Sequence, residues 1–112
     1  MARTRPTDRS WSLLLGARTA AGRTKSFSKA DDRRLQDITT RHFPHGYTIL
    51  QAAGGWFDPQ HAKFVREESR QIMVCNVSRV AMLRWAREVG EAFQQKELMV
   101  VELGRGISLK IH

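Results

Sequence analysis

A short charged run, Arg66-Glu67-Glu68-Ser69-Arg70, contains the residue types that bind an anion or a partner carboxylate. Successive side chains of an extended strand point to opposite faces, so Arg66, Glu68 and Arg70 share one face. Two guanidinium groups in such a row can hold a carboxylate or phosphate through paired hydrogen bonds. The alternative interpretation, which we favour, is a solvated edge whose charges pair with one another and discourage aggregation.

Two aromatic residues, Tyr47 and Trp56, precede this run and are expected to border it. Aromatic rings beside fixed charges supply the flat apolar surface and the few polar groups that ligand sites combine. The sequence therefore predicts a ligand or partner site with five members: Tyr47, Trp56, Arg66, Glu68 and Arg70.

Metal and nucleophilic chemistry would have to come from His42 and His45, with His61 and Cys75 as further ligands. Pro44 breaks the helix between the first two histidines, so they do not share a helical face, and no carboxylate cluster completes a site. Cys75 lies in an apolar segment, where cysteine packs as a small hydrophobe. We therefore assign no catalytic residue, no metal and no cofactor.

Positive charge is concentrated near the N-terminus. The formal net charge is +8, and residues 1–29 contribute +6 of it through seven Lys/Arg and one Asp. Basic arms commonly contact phosphate groups, which makes nucleic acid a candidate partner. The alternative is a solubilising tail, and the third strand lacks the paired aromatic residues of a base-stacking platform. The candidate nucleic-acid contacts are Arg3, Arg5, Arg9, Arg23, Lys25 and Lys29.

Hydrophobic periodicity and turn signals place these residues on six elements. Strands are predicted over residues 11–20, 46–54, 62–75 and 98–103, with a candidate extra C-terminal strand over 107–111. Ser28 and Asp31 form a capping box at the start of the first helix, and Pro44 ends it. The second helix begins at Asn76 or Ser78. Its apolar stripe consists of Met82, Trp85, Ala86, Val89 and Phe93.

The resulting order, β-α-β-β-α-β, is that of an α+β fold of the ferredoxin-like, split βαβ type. In this plan both helices lie on one face of an antiparallel sheet. We predict that residues 1–10 are a basic flexible arm and that residues 11–112 form a single domain.

The predicted strands carry large apolar side chains on both faces. Leu14 opposes Leu13 in the first strand, and Met73 opposes Ile72 in the third. Two helices cover only one face, so the other would leave an apolar patch in water. The sequence therefore predicts self-association through the sheet, most simply as a homodimer, with a different protein as the alternative partner.

A membrane partner is not expected. The longest apolar run near the N-terminus covers residues 11–17, far short of the roughly 20 residues that a membrane-spanning helix needs. The single cysteine, Cys75, excludes an intramolecular disulfide and fits a reducing compartment. We expect a cytoplasmic protein.

Three short motifs occur in order along the middle of the chain. They are Phe43-Pro44-x-Gly46-x-Thr48, then Gly54-x-Trp56, then Arg66-Glu67-x-Ser69-Arg70. With their spacing, the series resembles a small bacterial domain-of-unknown-function family, family 3574, over roughly residues 13 to 103. The resemblance implies a single α+β domain and no established activity.

These observations favour a binding or assembly domain that is not an enzyme and that dimerises through the sheet. Three alternatives remain open at this point. They are a nucleic-acid-binding protein that uses the basic arm, a small inhibitor or adaptor that docks on a larger protein, and an enzyme with a pocket in a dimeric α+β barrel.

Overall fold

A computed structural model of the protein describes residues 2–17 and 26–111. The elements are β1 (Ala2–Gly16), α1 (Lys29–His42), β2 (Thr48–Asp58), β3 (Lys63–Val74), α2 (Arg79–Ala92) and β4 (Met99–Ile111). The strands form one antiparallel sheet in the order β2-β3-β1-β4. The α+β, ferredoxin-like fold is therefore as predicted. No helix of the described residues is long and apolar enough to cross a bilayer.

Both helices begin at serine caps. The Ser28 side chain accepts a hydrogen bond from the Asp31 backbone N–H (3.0 Å), and the Ser28 N–H donates to the Asp31 carboxylate (2.9 Å), which completes the predicted capping box. In α2 the N-cap is Ser78, whose hydroxyl accepts from the Ala81 N–H at 3.2 Å. The other predicted cap, Asn76, lies instead in the preceding turn with φ 59°.

The core lies between the helices and one face of the sheet. Ile49, Ile72, Leu13 and Val100 form an apolar row across all four strands, with Leu13 and Ile72 fully buried. Against this face α1 packs Leu35, Ile38 and Thr39, and α2 packs Met82, Trp85, Ala86, Val89 and Gly90. The apolar stripe of α2 thus supplies more core residues than α1 does.

The predicted flexible arm needs correction, because Ala2–Ser10 belong to β1 and pair with the C-terminal half of β4. A strand ladder is built from backbone N–H and C=O groups, so a polar segment without hydrophobic period can still pair. Register shifts, which signal β-bulges, occur on either side of Arg9. The candidate extra strand is likewise the continuation of β4 to Ile111.

The long strands extend the molecule to 59 × 26 × 24 Å. At one end Ala2–Arg9 and Arg105–Ile111 pair only with each other, and we call this pair the terminal ribbon. At the other end residues 53–58 and 63–68 form a second two-stranded segment, the hairpin ribbon. It extends beyond the point where pairing of β1 with β3 ends, at Gly16 and Ser69.

Candidate functional site

In residues 2–17 and 26–111 no helix covers the face of the sheet opposite α1 and α2, and we call it the open face. Strand register places its central residues in two rows, each crossing all four strands. One row is Thr48, Met73, Ser12 and Val101; the other is Leu50, Gln71, Leu14 and Met99. None of these eight side chains carries a charge. Four apolar side chains of the open face are exposed: Leu14 (41%), Leu50 (46%), Val101 (42%) and Met99 (62%).

A polar pair lies in the middle of the open face. The Gln71 Nε2 group donates a hydrogen bond to the Ser12 Oγ at 3.0 Å. Ser12 is only 3% exposed even though no helix covers it. The Ser12 oxygen therefore already accepts one hydrogen bond within the sheet. The period of two separated Leu14 from Leu13 and Met73 from Ile72, and the register joins Leu14 and Met73 with Leu50, Met99, Val101 and this polar pair on one face.

The five residues of the predicted ligand site do not converge. Arg66, Glu68 and Arg70 share a face, as the period of two requires, but it is the face that carries the helices. Trp56 pairs with Val65, one position away from Arg66, and therefore points to the opposite face.

Tyr47 lies at the far end of β2, where its hydroxyl forms a 2.6 Å hydrogen bond with the Thr40 hydroxyl of α1. Nine residue-to-residue steps of extended chain, about 30 Å, separate Tyr47 from Trp56. Sequence proximity to the charged run was therefore a poor guide to spatial proximity.

Arg70 is a structural residue in this fold. It is 4% exposed, and its guanidinium pairs with both Asp32 carboxylate oxygens, Nε to Oδ1 at 2.9 Å and Nη2 to Oδ2 at 3.3 Å. The guanidinium also lies 4.5 Å from the centroid of the Phe27 ring. Glu68 accepts a hydrogen bond from the Phe27 N–H at 3.1 Å. These contacts attach β3 to the start of α1, and Asp32 was missed because it lies 38 positions away.

Glu88 organises the charges at the end of α1. It pairs with Arg41 and with His42, whose Nε2 lies 2.9 Å from Glu88 Oε1. Hydrogen bonds from Arg41 and then from His42 lower the pKa of Glu88 to about 2. In the hairpin turn His61 lies 2.7 Å from the Asp58 carboxylate and lowers the pKa of Asp58 in the same way.

The remaining candidates for metal chemistry border a cavity of about 550 Å³ between the end of α1 and the start of α2. His42, His45 and Cys75 all line it. Across residues 2–17 and 26–111, however, no three His, Cys, Asp or Glu side chains are grouped closely enough to hold a metal ion. The cavity therefore provides space without a ligand set.

The predicted nucleic-acid contacts separate along the molecule. Arg5 and Arg9 lie on the terminal ribbon, and the backbone of Arg3 pairs there with that of Lys110. Lys29 begins α1, beyond the opposite end of β1. Arg23, Lys25 and the side chain of Arg3 lie outside the described residues. The basic residues that are near in sequence thus do not form a single described surface.

A family model matches residues 11–102, and its description is "Protein of unknown function (DUF3574)". The chain belongs to this family. The resemblance inferred from the Phe-Pro, Gly-x-Trp and Arg-Glu motifs is confirmed. No curated protein matches the chain.

Solved structures with a similar fold include a phage SAM lyase in the apo state, with a TM-score of 0.62, 16% identity, and coverage of 95% of this chain and 90% of that one. The same type of enzyme in complex with S-methyl-5'-thioadenosine has a TM-score of 0.55, 14% identity, and coverage of 93% and 89%. A B. subtilis GlnK–ATP complex has a TM-score of 0.51, 14% identity, and coverage of 85% and 82%. At these identities the likeness concerns the fold alone.

Proposed function

We propose that this protein is a non-enzymatic assembly domain whose open face binds a second copy of the chain, most simply as a two-fold homodimer. The observation that carries the proposal is the pair of uncharged, largely apolar rows that cross the uncovered sheet. Burying such a surface removes apolar area from water at about 25 cal/mol per Å². Monomers rarely leave a large contiguous apolar patch exposed.

A second copy is the occupant that the charge pattern favours. The protein carries a net charge of +8, yet the eight central residues of the open face carry none. An acidic partner would find no cation there, whereas an identical face is both neutral and apolar. In a two-fold pair each residue meets the same surface that it belongs to, so no second complementary patch is required.

The polar pair at the centre adds orientation to an otherwise apolar contact. Ser12 and Gln71 already bond to each other, so one donor and one acceptor at the centre are paired before a second copy arrives. Met73 and Met99 beside them are flexible side chains that adapt to an opposing surface. Together these features suit a packed sheet-on-sheet interface of the kind found in β-sandwiches.

Subunit number tests the proposal directly. We expect sedimentation equilibrium of the wild type at low micromolar concentration to give twice the chain mass. Val101→Lys places a charge on the open face and should yield a monomer. Leu83→Lys is the matched control, because Leu83 on α2 has the same 42% exposure but lies away from this face. Leu83→Lys should remain dimeric.

A strictly monomeric wild type would overturn the proposal, as would a Val101→Lys variant that dimerises like its parent. A stable trimer or larger ring would contradict the proposed two-fold pairing. Native mass spectrometry of the same samples tests the enzymatic alternative. Two of the solved structures with a similar fold are complexes with S-methyl-5'-thioadenosine and with ATP. A retained adenosine-bearing ligand that this protein converts would therefore replace a purely assembling role with an enzymatic one.

A further inference from the structure

The terminal ribbon concentrates cations that the sequence separates by a hundred positions. Its strands carry five Lys/Arg residues and one Asp, and backbone register sets Arg3 opposite Lys110 and Arg9 opposite Arg105. We propose that this ribbon binds the phosphates of double-stranded nucleic acid. The proposal is independent of the open face, since neither row of that face includes a ribbon residue.

Like charges directly opposite each other are unfavourable in an antiparallel pair. The backbone register of the ribbon nevertheless sets Arg9 opposite Arg105. The register also places Arg5 opposite Ser108, two positions from Lys110, so Arg5 and Lys110 share one face of the ribbon. A phosphate placed over that face would meet both positive charges.

Among the ribbon cations whose side chains the structure describes, one is neutralised within the protein. Arg9 pairs with Glu102, Nη1 to Oε1 at 2.5 Å. In the described part of the chain, no carboxylate forms an ion pair with Arg5, Arg105 or Lys110, and all three are exposed. These three residues are free to contact an external anion, Arg5 and Lys110 on one face of the ribbon and Arg105 on the other.

The shape of the ribbon matches a groove of duplex DNA. The major groove, about 12 Å wide, admits a two-stranded β-ribbon. The terminal ribbon projects from one end of a 59 Å long molecule and has only its own two strands across its width. Alternate residues along a strand are about 6.7 Å apart, close to two of the 3.4 Å steps at which each DNA strand carries a charge.

The apolar residues of the ribbon argue for nucleic acid over a lipid surface. Ile107, Leu109 and Ile111 are at least half exposed and alternate with Ser108 and Lys110, so they point to the opposite face from Lys110. If the apolar face entered a membrane, Arg105 would accompany it, but Arg5 and Lys110 would point away from the anionic headgroups. Phosphates of a duplex can meet the face of Arg5 and Lys110 alone.

Fluorescence anisotropy with a labelled random-sequence 20-base-pair DNA duplex, titrated between 50 and 200 mM salt, tests the proposal. We expect the wild type to bind with affinity that falls steeply as salt rises. The double variant Arg5→Ala/Lys110→Ala should bind more weakly, and the slope of log affinity against log salt should flatten by about two. Arg87→Ala/Lys96→Ala, two exposed cations outside the ribbon, is the charge-matched control and should keep the wild-type slope.

The conservative double variant Arg5→Lys/Lys110→Arg keeps both charges and should bind like the wild type, which separates loss of contact from loss of fold. Three results would overturn the proposal: a wild type that ignores the duplex at 50 mM salt, equal losses in the ribbon variant and in the charge-matched control, or binding to anionic lipid vesicles without binding to DNA.

Discussion

Large apolar side chains lie on both faces of the central sheet, but the two faces differ in how much of those side chains is exposed to solvent. Leu13 and Ile72 on the helix-covered face are fully buried, whereas their neighbours Leu14 and Met99 on the open face are 41% and 62% exposed. Because these apolar residues alternate along the same strands, residue type does not decide which of them are buried. The position of the two helices decides it. The covered face accordingly determines the stability of one chain, and the open face is available for association.

The strongest way to sharpen this contrast is to truncate the covered side. Trp85 is fully buried, packs edge-on against Phe43 at 5.3 Å between ring centroids, and donates from Nε1 to the Thr39 hydroxyl at 3.2 Å. Trp85→Ala should lower the free energy of unfolding by about 3–5 kcal/mol, measured by urea denaturation. A loss below about 1 kcal/mol would contradict the core assigned to α2.

The polar member of the covered face should show the next largest effect. Asp32→Ala leaves the buried Arg70 guanidinium without its carboxylate partner. Because Asp32 itself is about one-third exposed, we expect a loss of about 1–3 kcal/mol rather than the full cost of an isolated buried charge. Asp37→Ala, an exposed carboxylate of the same helix, is the control. Equal losses in the free energy of unfolding for the two variants would contradict the structural role assigned to Arg70.

Truncation of the open face should have little effect on the single chain. Met99→Ala, studied under dilute conditions in which the chain is monomeric, should change the free energy of unfolding by less than about 0.5 kcal/mol. Sedimentation at higher concentration should nevertheless show weaker self-association. If Met99→Ala instead destabilises the monomer as much as a core truncation, the open face is covered by the chain itself.

The smallest expected effect belongs to neither face and concerns acid stability. Hydrogen bonds from Arg41 and His42 hold the pKa of Glu88 at about 2, below its ordinary value of 4.5. A carboxylate with a lowered folded-state pKa stabilises the fold above about pH 4.5, and this contribution is lost as the pH falls towards 2. The difference in unfolding free energy between wild type and Glu88→Gln should therefore shrink over this range. If the difference in unfolding free energy stayed constant between about pH 4.5 and 2, ionisation of Glu88 would not contribute to stability.

Local patterns were good predictors wherever neighbouring residues decide the outcome. The capping box at Ser28 and Asp31 and the stripe through Met82, Trp85 and Val89 depend on contacts within a few positions. The period of two also grouped Arg66, Glu68 and Arg70 correctly on one face. It left open which face that would be, because alternation separates the two sides of a strand without naming the side that a helix covers.

Long-range pairing was the part that sequence patterns missed. Ala2–Ser10 looked like an arm because its side chains have no hydrophobic period, but its backbone pairs with residues about a hundred positions away. The same pairing brings Lys110 and Arg105 beside the N-terminal arginines. The site of Tyr47, Trp56, Arg66, Glu68 and Arg70 failed to converge for the converse reason. Those residues are near in sequence, but an extended strand separates them in space.

By itself, then, the sequence determined the element order, the helix boundaries at their caps and the excess of apolar residues on both sides of the strands. These features follow from backbone preferences and periodicity, which depend on residues close together in the sequence. Only the tertiary structure decided which apolar row is buried, that Arg70 pairs with Asp32, and that the two chain ends form one basic ribbon. Each of those outcomes depends on strand register and helix placement, which join residues that no local pattern connects.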